Sequence, residues 1–112
     1  MTDCAGALEQ PPAEALDLVE VLQALADPVR LQIVRHLAGS DGSVACNQIP
    51  IPVGKSTGSH HLKVLREAGI VRIRVEGTRK FPSLRRDELE ARFPGLLDSV
   101  LRAGRDPSGS DL

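Results

Sequence analysis

The sequence predicts a mainly α-helical domain that carries one small β-hairpin, in the order α-α-α-α-β-β-α. Three observations support this. Apolar residues recur at helical spacing over most of the chain, the period switches to two in Val71–Glu76, and glycine or proline stands at nearly every change of pattern. With 112 residues the chain is long enough for one domain built on a single modest core.

Leu16, Val19, Leu22 and Leu25 mark a first helix from Glu14 to about Ala26. Asp27-Pro28 then starts a second, because Asp is a favoured N-cap and Pro suits the first helical position. Val29, Ile33, Val34 and Leu37 carry it to Gly39, which suits a C-terminal stop. After the loop SDGS, Val44 to Ile49 forms one or two helical turns closed by Pro50 and Pro52. Gly54 to Ala68 is the next helix, with Leu62 and Leu65 inward and Gly69 at its end. In Val71–Glu76, Val71, Ile73 and Val75 alternate with Arg72, Arg74 and Glu76, the pattern of a half-buried strand. Gly77-Thr78 supplies the turn, and Arg79 to Leu84 returns as a strand that Pro82 confines to an edge. Asp87 to Ala103 is helical again, divided by Pro94. Segments 1–13 and 105–112 read as tails, and 14–104 as the folded domain.

The net charge of −1 conceals an asymmetry. Residues 1–28 carry six acidic side chains and no basic one, whereas residues 54–86 carry nine basic against two acidic. A basic block inside a near-neutral protein is an electrostatic footprint for a polyanion. No apolar run approaches the length of a membrane span, and the acidic N-terminus lacks the features of a secretory signal. Two cysteines are too few for a disulfide framework, so the expected setting is cytoplasmic.

No catalytic constellation appears, and the chain is not expected to be an enzyme or to hold a cofactor. Gly54-Lys55-Ser56-Thr57 has the end of a phosphate-binding loop but not its first glycine, since position 49 is Ile49. His60 and His61 are adjacent, so on a helix they diverge by about 100° and do not converge on one metal. No metal site is therefore expected.

The informative stretch is KSTGSHHLKVLREA, residues 55–68. Its polar side carries Lys55, Ser56, Thr57, Ser59, His60, Lys63 and Arg66. Hydroxyl and imidazole groups near a helix N-terminus, with cations further along, suit insertion into a DNA major groove. The following hairpin is also basic, at Arg72, Arg74, Arg79 and Lys80. A helix followed by a basic hairpin is the layout of a winged helix-turn-helix. The expected DNA-binding residues are Lys55, Ser56, Thr57, Ser59, His60, His61, Lys63, Arg66, Arg74, Arg79 and Lys80.

Together, Leu25-Ala26-Asp27-Pro28-Val29-Arg30, the run KSTGSHHLKVLREAGIV and the segment EGTRKFPSL resemble the ArsR/SmtB family of bacterial winged-helix repressors, over about residues 15–103. The resemblance implies a homodimer that binds an imperfect inverted repeat in double-stranded DNA and is released by a metal, metalloid or redox signal. It also implies a dimer surface built from the first and last helices, which here means Leu16, Val19, Leu22, Leu96, Leu97, Val100 and Leu101. Periodicity alone allows the same residues to be intramolecular core. The sequence departs from the family in three places. Cys46 stands alone where many members carry a thiol pair, no histidine lies beyond His61, and Gly58 replaces a usually apolar residue. Cys46 is the candidate sensor, with a structural role as the plainer reading and Cys4 as a conceivable second thiol. A winged-helix module for protein partners with incidental DNA affinity is the alternative. Single-strand or RNA binding is disfavoured by the lack of Trp and Tyr, and a membrane-surface role by the broken pattern of the basic segment.

Overall fold

The computed structural model describes residues 11–103. A 3-10 turn at Ala13–Ala15 precedes α1 (Leu18–Leu25), α2 (Pro28–Ala38), a second 3-10 turn at Cys46–Gln48, and α3 (Lys55–Glu67). The hairpin β1 (Val71–Glu76) and β2 (Arg79–Leu84) follows, then α4 (Arg86–Arg92) and α5 (Leu96–Ala103). The predicted class and the main element order are therefore found; the tails fall largely outside the described residues.

The first helix is shorter than its apolar spacing suggests. Asp17 accepts a hydrogen bond from the Glu20 backbone N–H and caps α1, so the chain is extended at Leu16. Leu16 thereby leaves the helix and enters the intrachain core at 2% exposure, against the expectation that it faces a second protomer. The Arg92 guanidinium donates to the Leu16 carbonyl at 2.8 Å and pins this junction to α4.

At α2 the expected start signal operates as written. The Asp27 carboxylate accepts from the backbone N–H groups of Val29 and Arg30 at 2.8 and 3.1 Å, satisfying two donors that a helix N-terminus leaves open. The Arg30 N–H bond is the main reason the Asp27 carboxyl titrates below its ordinary range, with desolvation opposing.

Gly69 ends α3 for two physical reasons. Its φ of +87° is the left-handed conformation, and a Cβ there would lie 1.9 Å from Leu16 Cδ2. Its N–H reaches the Arg66 carbonyl and the Ile70 N–H reaches the Leu65 carbonyl, the paired bonds of a Schellman stop. The chain then enters β1, which pairs antiparallel with β2 from Val71↔Leu84 to Glu76↔Arg79. Gly77, at φ +63°, opens the two-residue turn.

Leu25, Ile33, Val34, Leu37, Leu62, Leu65, Ile70, Val71, Ile73 and Leu89 belong to one core joining α1, α2, α3, β1 and α4. Val75 does not join it. The hairpin projects past the core, leaving that side chain 41% exposed although the alternation placed it inward. Gly58 does not leave a void in α3, because Ile51 fills the space: a Cβ at Gly58 would lie 2.9 Å from Ile51 Cδ1. No helix among the described residues is long and apolar enough to cross a membrane.

Candidate nucleic-acid interface

The outer face of α3 is set by its burial pattern. Leu62 and Leu65 face the core, so Lys55, Ser56, Thr57, His60 and Lys63 are exposed and Ser59 is half-buried. Ser56, His60 and Lys63 fall at i, i+4 and i+7 and form one stripe. No side chain caps the helix, because its N-cap is Gly54.

Two residues expected on this face lie elsewhere. His61 is buried and Arg66 is 2% exposed. A 100° step per residue carries both off the stripe, towards the side of α3 that packs on α1, α2 and β1. Burial is the main cause that lowers the His61 pKa from its ordinary value; the Asp27 carboxylate opposes it and the Arg30 guanidinium adds to it.

The wing arranges its cations around an aromatic ring. The Arg74 and Arg79 guanidinium carbons lie 4.7 and 5.3 Å from the Phe81 ring centroid, and Phe81 itself is buried. Arg74 also pairs with Glu76 at 2.9 Å, an exposed contact that neutralises part of its charge. Arg72, two residues before Arg74 on the same strand face, reaches α4 instead, where Glu88 accepts from Arg72 at 2.8 Å and from Arg85 at 2.7 Å. The Arg85 hydrogen bond is the main cause that holds the Glu88 carboxyl below its usual range. Sequence reading listed the wing cations but gave no role to Phe81, whose signal was its register opposite Arg74.

Between the α3 N-terminal half and the wing tip runs a groove of about 1070 Å³. Lys55, Ser56 and Ser59 line one side, Thr78, Arg79 and Lys80 the other, and Ile49, Ile51 and Leu62 contribute apolar surface. Cys46 also lines it; the residue is partly buried against the core and is disulfide-bonded. Cys4 lies outside the described residues. Among the described residues no group of three or more His, Cys, Asp or Glu side chains is placed to hold a metal ion.

On the proposed dimer surface the residues divide. Val19 and Leu22 are exposed on α1 at 58% and 44%, with Leu18 beside them at 45%. Leu96, Val100 and Leu101 on α5 are partly buried against the chain's own core, and Leu97 is buried in it at 7%. Leu97, like Leu16, is an intrachain core residue because the inner face of α5 packs back on the domain.

A helical core that presents one exposed polar helix beside a basic hairpin defines a winged helix-turn-helix protein. Residues 25–74 match the helix-turn-helix domain family. The chain is 35% identical over 83 residues to the HTH-type transcriptional regulator YceK of Bacillus subtilis, covering 72% of this chain and 83% of the relative. It is 38% identical over 97 residues to the HTH-type transcriptional repressor SmtB of Mycobacterium tuberculosis, covering 86% of this chain and 70% of that one. KmtR, an HTH-type transcriptional regulator of the same organism, is 35% identical over 95 residues, covering 83% and 69%. The chain belongs to the ArsR/SmtB-type family of helix-turn-helix transcriptional regulators and is a DNA-binding regulator rather than an enzyme.

Proposed function

We propose that the protein is a homodimeric, cytoplasmic repressor that binds an imperfect inverted repeat in double-stranded DNA and leaves it on receipt of a signal. The observation that carries this is the pairing of Lys55, Ser56 and Ser59 at the start of α3 with Arg79 and Lys80 of the wing across one groove. Ser56, Thr57, Ser59 and His60 read base edges in the major groove, while Lys55, Lys63, Arg74, Arg79 and Lys80 neutralise phosphates. His61 and Arg66, being buried, take no part in direct contact. Two copies joined through the exposed α1 face and α5 would set two α3 helices about 34–36 Å apart, one turn of DNA.

Cys46, disulfide-bonded here, is the entry point for a redox signal in this reading, because reduction of that bond frees its thiol. It lines the same groove as Lys55 and Ser56, so a change at its sulfur acts on the first turn of α3. The protein-interaction alternative, with the last helix as its interface, leaves the basic groove without a purpose.

The test is Lys63→Ala. This exposed side chain contributes nothing to the core, so fold and melting temperature are expected to stay the same. Affinity for all duplexes is expected to fall by a similar factor, with the salt slope reduced by about one per protomer, or about two for the dimer. A loss confined to one DNA sequence would contradict the phosphate assignment. Titrations repeated with reductant and with oxidant read the role of Cys46.

A further inference from the structure

Three helices meet at one guanidinium. Arg30 stands in the first turn of α2, where Asp27 accepts its backbone N–H. Its Nε donates to the Ala24 carbonyl near the end of α1 at 2.6 Å, and its Nη1 lies 3.1 Å from His61 Nδ1 in the middle of α3. An arginine donates and never accepts, so the contact requires the Nδ1 lone pair. The imidazole is then neutral, with its proton on Nε2.

We infer that Arg30 and His61 are positioning residues for DNA recognition: the guanidinium, braced on α1 and α2, holds the unprotonated Nδ1 of His61 and so fixes how α3 presents its outer stripe. This rests on the DNA-binding reading above. The neighbour of His61 on the helix is His60, the middle of that stripe, with ring centroids 6.1 Å apart. Rotation of α3 that breaks the Arg30 contact therefore turns the base-reading residues with it.

The same contact is proton-sensitive. A proton on Nδ1 removes the acceptor and sets an imidazolium against a guanidinium. The charged or titratable groups that bear on His61 are Asp27 and Arg30 from the α2 start and His60 from α3 itself. Burial and Arg30 favour the neutral ring, and Asp27 alone opposes them. The folded-state pKa of His61 is thus below that of the unfolded chain. Between the two values the unfolded state binds more protons, so stability is fully present above the unfolded value and is lost as pH falls through the folded one.

The experiment uses the full chain. Long-range ¹⁵N–¹H spectra at neutral pH should show His61 with a bare Nδ1 and a protonated Nε2, and a pH titration of the same signals gives its midpoint. DNA affinity is then measured by fluorescence anisotropy one pH unit above and one below that midpoint, in a His60→Asn background that removes the titration of His60. Affinity is expected to fall by about tenfold across that interval. Adding His61→Asn, which keeps an acceptor near the Nδ1 position but cannot take up a proton, should flatten the change to less than about twofold while retaining binding at neutral pH. An Nδ1–H tautomer, or a pH dependence that survives His61→Asn, would overturn the assignment. Absence of any duplex binding by the unmodified protein at neutral pH would instead remove the DNA-binding reading, whereas tautomer and midpoint, both read on the free unmodified protein, judge the latch by themselves.

Discussion

Replacing both Arg74 and Arg79 by glutamate is expected to lower affinity for duplex DNA by about 100-fold or more near physiological salt. Two phosphate contacts per protomer are lost, four in the dimer, which reduces the salt slope by about three to four, and the new carboxylates repel the backbone in addition. The fold should tolerate the change, because both guanidinium groups lie outside the core and what is removed is their stacking on Phe81 together with the exposed Arg74–Glu76 pair and the Arg74 hydrogen bond to the Gly42 carbonyl. Contacts of that kind are worth about 0.5–1 kcal/mol at exposed sites, so melting should shift by only a few degrees. Calorimetry and anisotropy on the same preparation separate the two effects. Unchanged DNA affinity would mean that the wing does not touch DNA, and a partner bound through the last helix should be unaffected by the reversal.

Leu22→Asp carries the second large effect. Leu18, Val19 and Leu22 form an exposed apolar patch on α1, which in a free monomer has no stabilising role and marks a contact surface. A carboxylate at its centre should yield a folded monomer in sedimentation experiments. Since two linked half-sites gain about 10²–10⁴ in affinity over one, binding to a full operator should fall by that order while binding to a single half-site changes little. A variant that remains dimeric would place the interface elsewhere on the surface.

Much of this fold can be read in the chain because its boundaries are local chemistry. Asp27-Pro28 starts α2, Gly69 stops α3, and Gly77 turns the hairpin, each by a backbone requirement that few other residues meet. The break at Leu16 is also written in the sequence, as the pair Asp17 and Glu20 three residues apart, but the unbroken apolar spacing across it hides the signal. The site was legible on its exposed side, since Ser56, His60 and Lys63 fall on one stripe whatever the packing. Its inner side was not. Whether His61 and Arg66 face water or protein depends on how wide an arc of α3 the neighbouring helices cover, and polarity points the wrong way for both. Arg30 was visible as part of the Ala-Asp-Pro-x-Arg motif, yet its partner lies 31 residues away and only the folded chain brings them together. Gly58 likewise depends on Ile51, a residue on the preceding loop.

The most direct test of the DNA-binding account is the salt dependence of duplex binding by the unmodified protein. Labelled DNA is required for the anisotropy signal because the chain has neither Trp nor Tyr. Five basic side chains per protomer are assigned to phosphates, so a dimer should show a log–log slope of affinity against salt steeper than about −5. Affinity for duplex that is absent even at about 50 mM salt, or that does not change with salt, would contradict recognition of DNA by the basic face of α3 and the wing.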